Sequence, residues 1–384
     1  MSLSGVADLP LHTGHVPQWL ARRMLKLAKI IITLVVEEYG VEGFLSKIAN
    51  PLWFQALNNI IGMDWDSSGS TTVTSAIVKQ AIRELNLGIV AVGGKGRKAL
   101  DIPRELREFK VLSPEEARRL EDTSRLVAKI DQALIQDGYT LYHQLLLARD
   151  DKLWCIIQQG MNTKERMARR YHWLSSKIRI YDEEPHEGIA GRKHENVLNL
   201  TSRDSRDCKK VILDVVNENP YKAVRLWGEV KQLLLGVKPL QYYLTGEQRE
   251  RLQKITLKPK YYYTPVGDLR PEILRRVYEI KPRKFHELLL VRGVGPSTIR
   301  ALALVAELIY ETPPSWSDPV NYPIDPFKYA FAMGGKDGVP YPINRIVYDK
   351  VIVTLENIIA RVKDSQARRQ LMKNLAKLTV NWKP

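Results

Sequence analysis

The stretch YTLYHQLLLARDDKLWCIIQQ, residues 139–159, decides how the first half of the chain is read. Aromatic and β-branched residues flank the polar tripeptide Arg149-Asp150-Asp151, a pattern that predicts a β-hairpin. Upstream, GIVAV (88–92) is a short apolar run that reads as a strand, ended by GGKGRK (93–98). Before it, helices are predicted from about Gln18 to Tyr39, with Pro17 suited to a first helical turn and Gly40 closing the element. A second begins at Asn50-Pro51, and a third runs from about Val73 to Leu87. Residues 113–136 read as a helix opened by a capping box of Ser113 and Glu116. Downstream of the hairpin, TKERMARRYHWLSSK (163–177) reads as a basic helix. Strands and helices together predict an α/β (or α+β) N-terminal domain over residues 1–190.

Residues 181–208 mix Pro, Gly, His and charge without periodicity, and the main domain boundary is expected there. Beyond it, residues 205–384 predict an all-helical domain, with helices at about 208–217, 220–235, 246–255, 271–279, 283–291, 297–310, 344–363 and 365–377. Within it, PRKFHELLLVRGVGPSTIRALALVAELIY (282–310) has an apolar helix, a turn with two glycines one residue apart, and a second helix opened by Ser297 or Thr298. This stretch, at about 283–310, resembles the helix-hairpin-helix DNA-binding motif. Gly293 and Gly295 permit a tight turn and leave no Cβ to repel a phosphate. Their N–H groups, with those of Ser297 and Thr298 at the helix start, suit phosphate oxygens. Val294 is expected to point inward, and Arg292 and Arg300 to add charged contacts. Such a clamp reads backbone and not base sequence.

Charge points the same way. Lys and Arg outnumber Asp and Glu by 59 to 43, a net charge of +16, and an excess of that size favours a polyanionic partner. The partner expected is DNA, held by sequence-independent backbone contacts, with a homodimer left open. The most apolar run, LAKIIITLVV (27–36), carries Lys29 and is too short for a membrane span, which needs roughly 20 residues. Two cysteines, Cys155 and Cys208, are too few for a disulfide framework or a four-thiolate zinc site, and with no signal peptide at the start they suggest a cytoplasmic protein.

Polar residues gather in the N-terminal half. Asp64 and Asp66 lie in GMDWDSSGSTT, Lys95 follows a strand, and Asp137 and His143 lie in DGYTLYH. Carboxylates with a lysine and a histidine are the parts of a metal-dependent phosphodiesterase. The expected catalytic set is Asp64, Lys95, Asp137 and His143, with Asp64, Asp66 and Asp137 holding Mg2+ or Mn2+. The plainer readings are that Asp64 and Asp66 cap the following helix, or that SSGSTT binds a phosphate without chemistry. Arg169, Arg170 and His172, on the expected basic helix, are candidates for contact with nucleic acid. Helix-hairpin-helix glycosylases place an Asp downstream of the hairpin, and Asp318 and Asp325 stand at suitable distances. The lysine nucleophile of their bifunctional members has no counterpart, since Pro296, Ser297 and Thr298 occupy its place.

The chain as a whole, through GVADLPLHTGH (5–15), GMDWDSSG (62–69), GGKG (93–96), DGYTLYH (137–143), QQGMN (158–162), ARRYHW (168–173), EPHEGI (184–189) and GGKDGVPYP (334–342), resembles the mostly archaeal and thermophilic family known as domain of unknown function 763. Many relatives carry His where Asp66 and Met333 stand here, which favours Asp64 over Asp66 as a functional carboxylate. The resemblance implies a cytoplasmic protein of DNA maintenance. The function expected is that of a metal-dependent, structure-specific nuclease. A base-excision glycosylase and a non-catalytic architectural DNA-binding protein are the alternatives.

Overall fold

The structure, a computed structural model, describes residues 16–63, 68–234, 246–247, 269–321 and 343–361. At its centre is the hairpin of β3 (Thr140–Ala148) and β4 (Trp154–Asn162), as the sequence predicts. Its turn is fixed by Asp150, whose Oδ1 accepts from the backbone N–H of Lys152 and Leu153 at 2.9 and 2.8 Å. Strand β1 (Val90–Lys95) pairs with β3, and β5 (Met167–Leu174) pairs with β4. Strand β6 (His186–Ala190) completes a five-stranded sheet of order β1-β3-β4-β5-β6, antiparallel throughout. A short second ladder joins β2 (Ile135–Gln136) to β7 (Leu198–Asn199).

Strand β5 corrects the helix expected over 163–177. Its run of basic residues suggested a solvated helical face, yet side chains alternate with period two between the two faces of the sheet. Arg169, Tyr171 and Trp173 point one way and Arg170, His172 and Leu174 the other, and all six are buried. Backbone pairing along the whole of β4 overrides the local charge pattern.

Helices cover both faces. One face is packed by α1 (Gln18–Ala49), α2 (Pro51–Ile60) and α3 (Ser68–Leu85). Helix α1 is broken at Gly40, whose φ of +70° is non-helical, so the predicted stop lies within a kinked pair. Asn50 caps α2, accepting from the N–H of Leu52 and Trp53 at 3.0 and 3.1 Å, with Pro51 following it. After the short helices α4 (Arg97–Leu100) and α5 (Ile102–Glu108), the long α6 (Pro114–Ala133) lies on the opposite face. Its N-terminus carries the predicted capping box: Glu116 N–H donates to Ser113 Oγ at 3.2 Å, and Ser113 N–H to Glu116 Oε2 at 2.8 Å.

Beyond β7 the described chain is largely helical: α7 (Arg206–Glu218), α8 (Pro220–Leu234), α9 (Pro271–Ile280), α10 (Phe285–Leu290), α11 (Pro296–Ile309) and α12 (Arg345–Arg361). The apolar residues of α7 to α11 form one core with α6 and with Trp154, Ile156, Tyr171 and Trp173 of the sheet. Helix α12 returns to the first face, where buried Tyr348 donates to Ile61 O at 2.7 Å and Arg23 pairs with Asp349 at 2.6 Å. Among the described residues no helix is long and apolar enough to cross a membrane. The predicted helices at 246–255 and 365–377 lie outside those residues, apart from 246–247.

Candidate functional site

The two-glycine turn connects α10 to α11. Helix α10 is seated by Phe285, Leu288 and Leu289, and its start is secured by Glu287, whose Oε2 accepts from the N–H of Arg283 at 2.8 Å and of Lys284 at 3.2 Å. Gly293 has a φ of +101°, and a Cβ there would lie 2.9 Å from Ile273 on α9, so glycine is required twice over. Val294 is buried, as expected, and its N–H donates to Val291 O at 3.1 Å. Gly295 is extended, with φ −150° and ψ −173°, and a Cβ there would meet nothing within 4 Å.

The turn's carbonyls are held from inside. Lys129 Nζ of α6 donates to Val294 O at 2.8 Å, and Gln136 Nε2 donates to Pro296 O at 2.9 Å. Burial beside the turn pushes the Lys129 ammonium pKa down. Among the described residues no acceptor takes the N–H of Gly293 or Gly295. Helix α11 starts at Pro296 with Gly295 as its N-cap and no side-chain cap, one residue earlier than the predicted Ser297 or Thr298 cap. Exposed Arg292 flanks the turn, and exposed Arg276 reaches it, donating to Arg292 O at 3.3 Å. Ser297 and Thr298 are half-buried at the start of the helix.

Arg300 departs from its expected role. Residues 299 to 308 of α11 are all buried, so Arg300 points into the protein and away from the phosphate side of the turn. Lys129, Gln136 and Arg276 are the members that motif reading missed. Lys129 and Gln136 come from an element some 160 residues away, and no local spacing links them to the turn. Arg276 had a weak signal, as one of a pair of arginines on the short helix before the motif.

A second polar constellation crosses the sheet. Lys95 pairs with His143, His143 with Gln159, and Gln159 with Arg170, so the four form one row on the α3 side. His143 Nε2 meets Ser75 Oγ of α3 at 3.0 Å. Gln159 Nε2 donates to Ser68 O at 2.9 Å and to the Tyr142 hydroxyl, and Gln159 Oε1 accepts from Thr71 Oγ1. Arg170 donates to Gln55 Oε1 of α2 at 2.6 Å, and its guanidinium lies 5.4 Å from the Phe54 ring centroid. Burial, with Lys95 and Lys79 nearby, lowers the His143 pKa to about 3. His172, buried beside Arg170 and edge-on to Phe54, is lowered well below the usual imidazole range.

Several expected site residues are placed elsewhere. Arg169, Arg170 and His172 do not reach nucleic acid from this fold, because each is at most 1% exposed. Asp137 does not join Lys95 and His143. It lies on the other face of the sheet, where its Oδ2 accepts from Arg169 Nη1 at 2.7 Å and from Tyr171 Oη at 2.6 Å, and its Oδ1 from Tyr139 N–H at 3.0 Å. Burial raises the pKa of the Asp137 carboxyl and the Arg169 guanidinium opposes it. That sealed position is incompatible with a role as shared ligand beside Lys95. Arg169 continues to Asp318, whose Oδ2 it meets at 2.7 Å, and Asp318 also accepts from the N–H of His194 and Val320 at 2.7 and 3.1 Å. A carboxylate so enclosed does not reach a sugar, which removes Asp318 as the glycosylase acid.

Asp64, Asp66, Asp325 and Met333 lie outside the described residues. Among the described residues, no group of three or more His, Cys, Asp or Glu could hold a metal ion. One buried carboxylate escaped sequence reading. Asp131 on α6 meets His186 Nε2 at 2.6 Å, Trp173 Nε1 at 3.0 Å and Gln158 Nε2 at 2.9 Å. Its signal was a lone acid on the apolar face that also carries Val127, Ile130 and Leu134. Both cysteines are buried free thiols.

Nothing among the curated proteins or the solved structures matches the chain. A family model does match, over residues 5–343, and that span takes in the sheet, its covering helices and the two-glycine turn alike. The chain therefore belongs to the family described as protein of unknown function DUF763.

Proposed function

We propose that this protein binds DNA through its phosphate backbone, with the turn Val291–Gly295 and the first turn of α11 acting as a helix-hairpin-helix clamp. One observation carries the proposal: the carbonyls of Val294 and Pro296 are tied inward by Lys129 and Gln136, while a 14-residue helix starts at Gly295 without a side-chain cap. A helix N-terminus of that kind attracts anions, and Arg292 and Arg276 stand beside it. The chain's net charge of +16 supports a polyanionic partner.

Gly295 gives a clean test, since its backbone is extended and the space in front of it is open. Gly295→Glu is expected to weaken binding of a short duplex by about tenfold or more at fixed salt, with the melting temperature unchanged. Unchanged affinity in a salt-controlled shift assay overturns the clamp.

Metal-dependent, structure-specific cleavage in DNA maintenance is the chemistry proposed with this binding. What favours it is the adjacency of Lys95 and His143 on β1 and β3; Asp64 and Asp66 are the carboxylates it would use with Mg2+ or Mn2+. Labelled single strands, nicks, flaps and junctions, incubated with Mn2+ and with EDTA, test it. Cleavage with Mn2+ alone supports a nuclease, and no product on any substrate leaves an architectural DNA-binding protein.

A further inference from the structure

The Gly-rich end of β1 and the first turns of α3 meet at one end of the row Lys95–His143–Gln159. The backbone here is built by glycine. Gly93 has a φ of +94°, and a Cβ would lie 2.2 Å from Gln144 O, so no other residue fits. Gly96, at φ +60°, has nothing within 4 Å of its Cβ position, and its N–H donates to Tyr142 O at 2.7 Å. The result is an exposed Lys95 whose ammonium stands 6.0 Å from the Tyr142 ring centroid. Among the described residues no carboxylate lies within ion-pairing distance of it.

Behind Lys95 the polar groups are buried. His143 is 1% exposed, and its Nδ1 has no hydrogen-bond partner. Thr74 Oγ1, one residue before the Ser75 that meets His143, is also buried without a partner. Unpartnered buried atoms of this kind are uncommon and call for a guest. The sign of that guest follows from the charges. Lys95 and Lys79 are the two ions that act on His143, and both are positive. Lys79 is itself anchored, donating to Gly93 O at 2.7 Å and pairing with Glu105 at 2.6 Å. The positive pole of the 18-residue α3 faces the same row through Ser68 and Thr71, which are bound to Gln159.

We propose that this opening binds a phosphate group, carried on a mononucleotide or in a nucleic-acid strand. Lys95 supplies the mobile charge at the mouth, the start of α3 supplies the fixed dipole, and Tyr142 and His143 supply hydrogen-bonding atoms on β3. A phosphate suits the arrangement better than a carboxylate, because it carries more charge and more acceptor oxygens than one lysine satisfies. The site is on β1, β3 and α3, and the turn at 291–295 packs instead on α6 and α9, so the two readings stand or fall separately.

Imidazole NMR on the full chain tests it, with the His143 signal assigned from His143→Gln. Inorganic phosphate, a deoxynucleoside monophosphate and a short single-stranded DNA are titrated in turn. The expected result is a saturable shift of the His143 ring, weakened about tenfold or more in Lys95→Ala and unchanged in Gly295→Glu. Lys95 is exposed, so the remaining histidine signals should stay in place in that variant. A shift with phosphate and mononucleotide assigns a free or terminal phosphate, and a shift with DNA alone assigns a backbone phosphate. No shift with any of the three, or a Lys95→Ala variant that binds as the parent does, overturns the site.

Discussion

His143 shows what a single residue costs and reveals in this fold. It is sealed between Lys95 and Gln159, with Ser75 above it, and its pKa is about 3 against an ordinary 6.5. Above pH 6.5 both folded and unfolded chains hold it neutral, and it carries no pH-dependent cost. Below that value the unfolded chain takes up a proton that the folded chain refuses, so stability falls until the pH reaches the folded value. The slope for one such group is about 1.4 kcal/mol per pH unit. Comparing chemical denaturation of the parent with that of His143→Gln between pH 7 and 4 isolates this residue: the parent should lose stability relative to the variant as pH falls. Parallel curves would mean that the imidazole titrates normally. The sequence showed His143 as one polar residue among many, since the identity of a strand residue does not reveal which face it will occupy.

At the scale of elements, the turn between α10 and α11 is supported from α6. Lys129 and Gln136 hold two of its carbonyls. Lys129→Met keeps the aliphatic stem but removes the donor, leaving Val294 O unsatisfied in a half-buried place. The expected loss is about 1–3 kcal/mol in thermal or chemical unfolding, with weaker DNA binding although the side chain touches no DNA. Binding and stability both equal to the parent's would show that α6 does not position the turn. The helices and caps here were legible because their signals are local: Asn50 before Pro51, Ser113 before Glu116, and two glycines between apolar helices. Strand β5 was not, because its pairing partner, not its own composition, decides its conformation.

Across the whole molecule, the ion-paired group Asp137–Arg169–Asp318 joins the strand region to the segment after α11. All three side chains are at most 1% exposed, so removing one leaves charge without its partner in a dry interior. Asp318→Ala is expected to cost about 3–5 kcal/mol, read as a lower midpoint in denaturant. A cost below about 1 kcal/mol, as for an exposed pair, would show the group to be hydrated. The same contacts explain why the basic stretch 164–179 misled: its charge was visible, and the acids that neutralise part of it stand 32 and 149 residues from Arg169.

The sequence alone determined the central hairpin, the capped helices, the broken first helix and the two-glycine turn, because each rests on neighbours within a few residues. Only the tertiary structure decided that β5 is a strand, that Arg169, Arg170 and Arg300 face inward, and that Asp137 and His143 lie on opposite faces of the sheet. The reason is physical. A cap or a glycine turn is settled by local hydrogen bonds and backbone sterics, whereas the burial of a charge is settled by its partner, and here the partners arrive from distant parts of the chain.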